Sequence, residues 1–394
     1  MKTKITTLAK YVSAAVVLGT ISFASQAEIT VLKQDPKAGD PLSRLNFTVG
    51  GSIRPQFINM AGDDGANGYR RNGYDGGTRF RFAADYYLFD DISWISYYEL
   101  GVNFPRMFKW DNHYKDTGTS RDANTTRRML YTGLKSDTWG TLTFGQQNSV
   151  YYDVVGVKTD IWDYDMLAQA PGNGISGDYD GSYRARKQLK YKKTVGDVDL
   201  YASYLFDDEL NRNDGKGEYK RKGGGSLGVD YRITEDLTWG LAWNYTKAEL
   251  RNYEGHDSET YNQNIWGTAL SWTPDNWTLA GGFGWYQNYI PLKSGFTAKP
   301  INNGNGFADD AWGYEYFIGY TFPIGQYAVK SIQPYVMGDR LEFVNGSNWK
   351  RIDNGLGLNF KFDYGFSVQY EHVFTSSTDK SIGDVNLVRL RYDF

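Results

Sequence analysis

The chain has 394 residues, a formal net charge of −3, no cysteine, 45 glycines and 16% aromatic residues, with a polar mean hydropathy of −0.57. Without cysteine, a disulfide-stapled scaffold, a thiol enzyme and a cysteine-ligated metal centre are excluded. High aromatic and glycine content on a polar average suits an all-β protein, either soluble or a membrane barrel in which only alternate residues face lipid.

Residues 1–27 read as a cleaved signal peptide. Lys2, Lys4 and Lys10 form a charged start, Tyr11–Ala24 a short apolar run, and Ser25-Gln26-Ala27 a small-x-small site that places the cut at Ala27/Glu28. The run is too short to span a bilayer, and nothing later approaches the ~18–20 apolar residues of a membrane helix. Losing three lysines and no acids takes the formal charge from −3 to −6.

Residues 28–394 divide into candidate strands. In chain order these are Leu45–Phe57, Thr78–Leu88, Ile92–Phe104, Thr125–Lys135, Trp139–Gln147, Tyr183–Lys193, Val198–Phe206 and Ser226–Ile233. They continue with Leu237–Glu249, Tyr261–Thr273, Trp277–Tyr289, Ala311–Phe322, Ser331–Phe343, Trp349–Phe362, Phe366–Thr375 and Val385–Phe394, sixteen in all. Short Asp- or Gly-bearing turns such as Phe89-Asp90-Asp91 and Pro274-Asp275-Asn276 alternate with long polar connections such as Ile58–Gly77 and Pro105–Asn124. A sandwich has no reason to sort its connections this way; an antiparallel transmembrane β-barrel has short turns on one side and long loops on the other. Period-2 patterning agrees: Val388, Leu390, Tyr392 and Phe394 share one face of the last strand, Leu387, Arg389, Arg391 and Asp393 the other. The sheet is expected to close by pairing the first strand with the last.

One connection stands apart, Asn148–Ser182, with acids that include Asp153, Asp160, Asp163, Asp165 and Asp178. Loops of this length are usually functional. Strand parity turns Arg79, Arg81, Arg128, Arg184, Arg186 and Lys190 inward, towards those acids. A basic wall facing an acidic loop across water sets up a transverse field that favours polar solutes and carries out no chemical step.

The block Arg128–Lys135, Trp139–Gly145 and Val150–Val154, followed by Tyr164–Gly172, resembles the general diffusion porins of enteric bacteria. The resemblance is strongest over residues 125–193. It implies a 16-stranded barrel in the outer membrane of a Gram-negative bacterium, with the third extracellular loop (148–182) folded inward as a constriction. It further implies a homotrimer in which Pro105–Asn124 reaches a neighbour, and assigns Phe394 as the C-terminal assembly signal. Residue by residue, Arg79, Arg128 and Arg184 match the family's constriction arginines, Glu99 the acid among them, and Asp165 the loop aspartate opposite. Two positions depart: the loop glutamate falls at Gln169, and the first strand's lysine falls near Gly51, with Arg54 the nearest cation. Losing a loop acid while keeping the arginines shifts the expected preference towards anions. The implied partners are membrane lipid, lipopolysaccharide, small hydrophilic solutes and ions.

Other chemistry is poorly supported. None of the three histidines, His113, His256 and His372, falls on an inward parity beside a serine or aspartate partner, so an enzyme is not expected. The runs at Asp207 and Gly177 lack calcium-loop spacing, and Lys216–Gly225 lacks the phosphate-loop order and reads as an external loop. Neither metal, cofactor nor nucleic acid is called for. The competing reading is a substrate-selective porin for oligosaccharides or anions, with tyrosines and tryptophans of the loop stacking on solute. A purely structural or adhesin barrel is the third.

Overall fold

The computed structural model describes residues 28–35, 39–60, 69–110, 124–161, 177–211, 218–251, 258–289, 309–344, 350–378 and 383–394. Sixteen antiparallel strands make one closed barrel. The first eight are β1 (Leu45–Ile53, continued by Pro55–Met60), β2 (Tyr69–Asp75, continued by Arg79–Phe89), β3 (Ile92–Val102), β4 (Thr125–Ser136), β5 (Gly140–Gln146), β6 (Gln188–Val195), β7 (Val198–Leu205, continued by Asp208–Asn211) and β8 (Glu218–Arg232). The others are β9 (Leu237–Arg251), β10 (Glu259–Trp272), β11 (Trp277–Tyr289), β12 (Asp309–Tyr320, continued by Phe322–Gln326), β13 (Val329–Phe343), β14 (Lys350–Phe362), β15 (Phe366–Ser377) and β16 (Val385–Asp393).

Each strand pairs with its chain neighbours, and β16 returns to β1 through Ser52↔Asp393 and Gln56↔Arg389. At the foot of this seam the Gly51 and Phe394 amides and carbonyls bond reciprocally at 2.7 and 3.1 Å. Below Gly51 a short N-terminal strand, Ile29–Leu32, takes up the remaining edge of β1, with Ile29 opposite Val49. Edge groups of β1 beyond its pairing with β16 are thereby paired.

The short turns depend on aspartates. Asp90 and Asp275 both sit in the left-handed region (φ 51°), which Asp tolerates better than most residues. Asp91 Oδ2 accepts from the Ser136 hydroxyl at 2.8 Å and the Thr138 amide at 2.7 Å, tying two adjacent turns together.

Outward positions carry exposed Trp94, Leu134, Phe144, Leu241, Trp266, Phe283, Leu356 and Phe374, the apolar band a barrel presents to lipid. The opposite parity holds the buried groups. After β5 the chain forms a π-helical stretch, Tyr152–Gly156, and a helical turn, Val157–Thr159. Val150, Tyr151, Val154 and Val155 are fully buried there against Tyr201, Ala242, Ile265, Ala269 and Tyr286 of β7 and β9–β11. Ile265 and Ala269 alternate with lipid-facing Trp266 and Leu270, so this segment lies on the inner wall. Ile161 then packs against a second inner cluster that includes Phe317, Tyr335 and Leu387.

The contact requires a wall without side chains. A Cβ on Gly240 would stand 2.1 Å from the Val154 carbonyl oxygen, and one on Gly267 would stand 2.4 Å from the Tyr151 hydroxyl. Lysines pin the segment at both ends: Lys190 Nζ lies 2.6 Å from Asp153, and Lys158 Nζ lies 2.7 Å from Asp230 of β8. The return segment, from Gly177, is held by fully buried Arg221 of β8, which donates to the carbonyls of Tyr179, Arg186 and Phe206. Asp180 accepts from the amide and hydroxyl of Ser182, and its carbonyl accepts from Asn244 and Thr246.

The expected strand Tyr183–Lys193 begins only at Gln188. Lys187 takes a left-handed φ of 47°, and the Arg186 carbonyl is claimed by Arg221, which breaks the ladder. Parity therefore does not orient Arg184 or Arg186. The glycine-rich run expected as loop within Lys216–Gly225 is largely strand, because cross-strand pairs support it: Lys220 Nζ to Glu209 at 2.9 Å and Lys222 Nζ to Glu249 at 2.6 Å.

Two outcomes follow. Gly240→Val forces a side chain onto the Val154 carbonyl, so the barrel loses about 1–3 kcal/mol and residues 150–161 become more sensitive to protease; unchanged melting and cleavage would rule out this packing. Burial pushes the Asp180 carboxyl up from 3.8 to about 6, against the pull of the Ser182 bonds and Arg221. The folded chain then binds this proton more tightly than the unfolded one, so its contribution to stability is greatest below pH ~4 and declines as pH rises to ~6. Thermal unfolding of Asp180→Asn from pH 4 to 7 is expected to gain on the native chain as pH rises; a constant offset would contradict this.

Candidate constriction site

The lumen contains a cavity of about 1080 Å³ bounded by β1–β4, β6, β11–β16 and the segments around residues 147–161 and 183–184. Its centre of charge is Glu99 on β3, which is 2% exposed. Register sets Arg81 directly opposite it, and a bulge at Glu99/Leu100 lets Arg128 of β4 reach the same carboxylate. Arg81 Nε lies 3.0 Å from one oxygen, Arg128 Nε 2.5 Å from the other, and an Arg79 amino nitrogen 4.0 Å away. The Tyr97 hydroxyl donates to the same group at 3.3 Å, and its ring stacks on Tyr131 at 5.3 Å. One carboxylate shared by three guanidiniums holds them in fixed directions and leaves an excess of positive charge on that wall.

Arg184 also lines the cavity. Its guanidinium lies over the Tyr183 ring at 4.3 Å, and its Nε is 3.5 Å from Asp178. Burial raises the Asp178 carboxyl pKa despite the opposing pull of Arg184. Asp160 lines the cavity and accepts from the Tyr152 hydroxyl. Lys190 lines it too, but its charge is committed to Asp153 and the Asn148 carbonyl. Arg186 is elsewhere: it pairs with Asp208 at 3.1 Å and lies over the Tyr179 ring, outside the cavity lining. Asp163, Asp165 and Gln169 fall outside the described residues.

Arg389, Arg391, Lys330 and Lys361 line the cavity without having been expected as site residues, as does Arg54, expected only as the cation nearest the first strand's lysine position. For β16 the signal was present, since its alternation already turned Arg389 and Arg391 from lipid. Among the described residues the lining carries eleven Lys or Arg side chains and seven Asp or Glu, an excess of four positive charges.

The family model for Gram-negative porins matches residues 13–330. Outer membrane protein F of Serratia marcescens is 25% identical over 363 residues, covering 86% of this chain and 88% of that protein. Two solved structures superpose on the fold. OmpF of Salmonella typhi, in complex with daunomycin, has a TM-score of 0.63 at 15% identity, covering 89% of this chain and 98% of that one. The outer membrane channel DcaP of Acinetobacter baumannii has a TM-score of 0.65 at 11% identity, covering 92% and 100%. With a closed sixteen-strand barrel, a lipid-facing band and a family match over most of its length, the chain belongs to the Gram-negative porins, channel proteins of the outer membrane.

Proposed function

We propose that this porin is a general diffusion channel for ions and small hydrophilic solutes, constricted by loop 148–182 opposite Arg79, Arg128 and Arg184, and shifted towards anions. The observation that carries the reading is the charge of the described lining, four positive in excess. In a water-filled lumen such a field raises local anion concentration and lowers that of cations, more strongly at low salt. The helical start of the loop on the inner wall supports a course into the lumen, and its lysine anchors keep it there. Residues 1–27 serve as a signal peptide removed on export, and the working assembly is a homotrimer.

A substrate-selective pore is the second reading. Tyr97, Tyr131, Tyr152 and Tyr183 all line the cavity, and flat phenol faces suit sugar rings. Two of these hydroxyls are already engaged, by Glu99 and Asp160, which favours a structural role for those rings. Saturable current block by added oligosaccharides would favour selectivity; unblocked current across common oligosaccharides would favour diffusion.

In planar bilayers under a KCl gradient the reversal potential is expected to have the sign of anion preference, shrinking as ionic strength rises. Clear cation selectivity would refute the charge argument. Deleting residues 160–175 is expected to give a larger, less selective single-channel conductance, while the barrel still resists heat in detergent. Conductance identical to that of the intact chain would remove the loop from the constriction.

A further inference from the structure

The short turns of this barrel differ in the residue they place at left-handed backbone positions. Asp90 and Asp275 fill two of them, with short side chains that tolerate this conformation. Two other turns place tyrosine there. Tyr327 and Ala328, with φ of 55° and 62°, form the loop between paired Gln326 and Val329, where β12 passes into β13. A two-residue hairpin loop with positive φ at both positions ordinarily takes Asn-Gly or Asp-Gly. Between β14 and β15, Tyr364 and Gly365 take φ of 59° and 82°. A bulky ring carries strain in this region, and here it gains almost no packing within the chain: Tyr327 is 94% exposed and Tyr364 90%.

The two turns belong to one surface. The Asp363 amide donates to the Ala328 carbonyl at 3.0 Å and ties them side by side. Phe322 and Ile324, both exposed, continue the outward parity of Ile318 and Tyr320 down towards Tyr327. Tyr320 and Phe322 meet edge to face at 4.7 Å, and Phe366, two residues after Tyr364, stacks on Tyr392 of β16 at 4.6 Å. On the other face of the same strands Lys330 and Lys361 line the cavity. The patch is therefore continuous with the face that the barrel presents to lipid, and it extends past the aromatic pairs that end that face. Tyrosine suits this depth, because its ring is apolar while its hydroxyl keeps hydrogen bonds among headgroups and water.

We propose that the Tyr327 and Tyr364 turns form a foot seated in the headgroup layer of the adjoining leaflet, with a phospholipid surface as its partner. The foot requires a barrel set in a bilayer and is independent of what diffuses through it.

The chain has no cysteine, so Gln326→Cys carries a single nitroxide label beside Tyr327 with both tyrosines in place. Asp197→Cys labels the exposed turn between β6 and β7 as the reference. Each labelled protein is reconstituted into phosphatidylcholine–phosphatidylglycerol vesicles and read by power saturation with oxygen, which collects in the bilayer, and with a nickel chelate, which stays in water. The Gln326 label is expected to collide severalfold less with the chelate than the Asp197 label does. Most of that protection should disappear when Tyr327→Ser/Tyr364→Ser is added. Tyr364→Ser alone, which leaves the Tyr327 hairpin as it is, gives the same comparison if the double variant does not form barrels. A Gln326 label as open to the chelate as the reference would overturn the foot and leave these rings to a glycan or protein partner. Protection unchanged by the serine substitutions would overturn the part given to the tyrosines. Spin–spin broadening at Gln326 would assign the surface to a second copy of the chain, which also overturns the proposal.

Discussion

Hydrocarbon offers no partner to a backbone amide, and the architecture of this protein follows from satisfying that demand with strands. A sheet in lipid must close, and closure here depends on a seam between residues more than three hundred positions apart in the chain, as the Arg389–Gln56 bond illustrates with a separation of 333. β16 pairs with β1 at the seam through Ser52 and Gly51, and Ile29–Leu32 pairs with the next stretch of β1. The same closure separates two faces of opposite character. Described strand residues that do not face lipid turn to a shared interior, where charges are close enough to act on one another.

That interior is divided by chemistry. Under the loop, Gly240 and Gly267 clear the wall so that Val154 and Tyr151 can approach the backbone, and the apolar contacts hold a helical segment where water would otherwise be. Across the lumen, β1–β4 and β16 carry arginines whose orientation comes from Glu99, Ser52, Gln56 and Asp393. A glycine-lined wall and an arginine-lined wall are complementary requirements. The first seats residues 150–161 on the inner wall, and the second gathers positive charge on the other.

Much of the barrel was legible in the sequence because its signals are local. Period-2 alternation marked the strands, and Asp90, Asp91 and Asp275 marked turns whose geometry these residues favour. Errors arose where a distant group decides a local structure. Arg186 was placed by a parity that Lys187 and Arg221 interrupt. The basic glycine run before Ser226 has the composition of a loop, and its strand character comes from Glu209 and Glu249 on neighbouring strands. Arg128 could be matched to a known family pattern within a contiguous block, and Arg79 and Glu99 were carried over from the same resemblance outside it. Closure of the first strand on the last was expected, but the register that sets Gln56 opposite Arg389 and so brings Arg54, Arg389 and Arg391 together has no local signal.

The pairing of the lumenal arginines bears on how they act on an ion. Guanidiniums drawn onto Glu99 keep their net field but lose hydrogen-bonding capacity to the carboxylate, so they act on a passing ion chiefly through charge, at a distance, and are weakened by salt. Such a field sorts ions by sign and does not by itself distinguish one anion from another of equal charge.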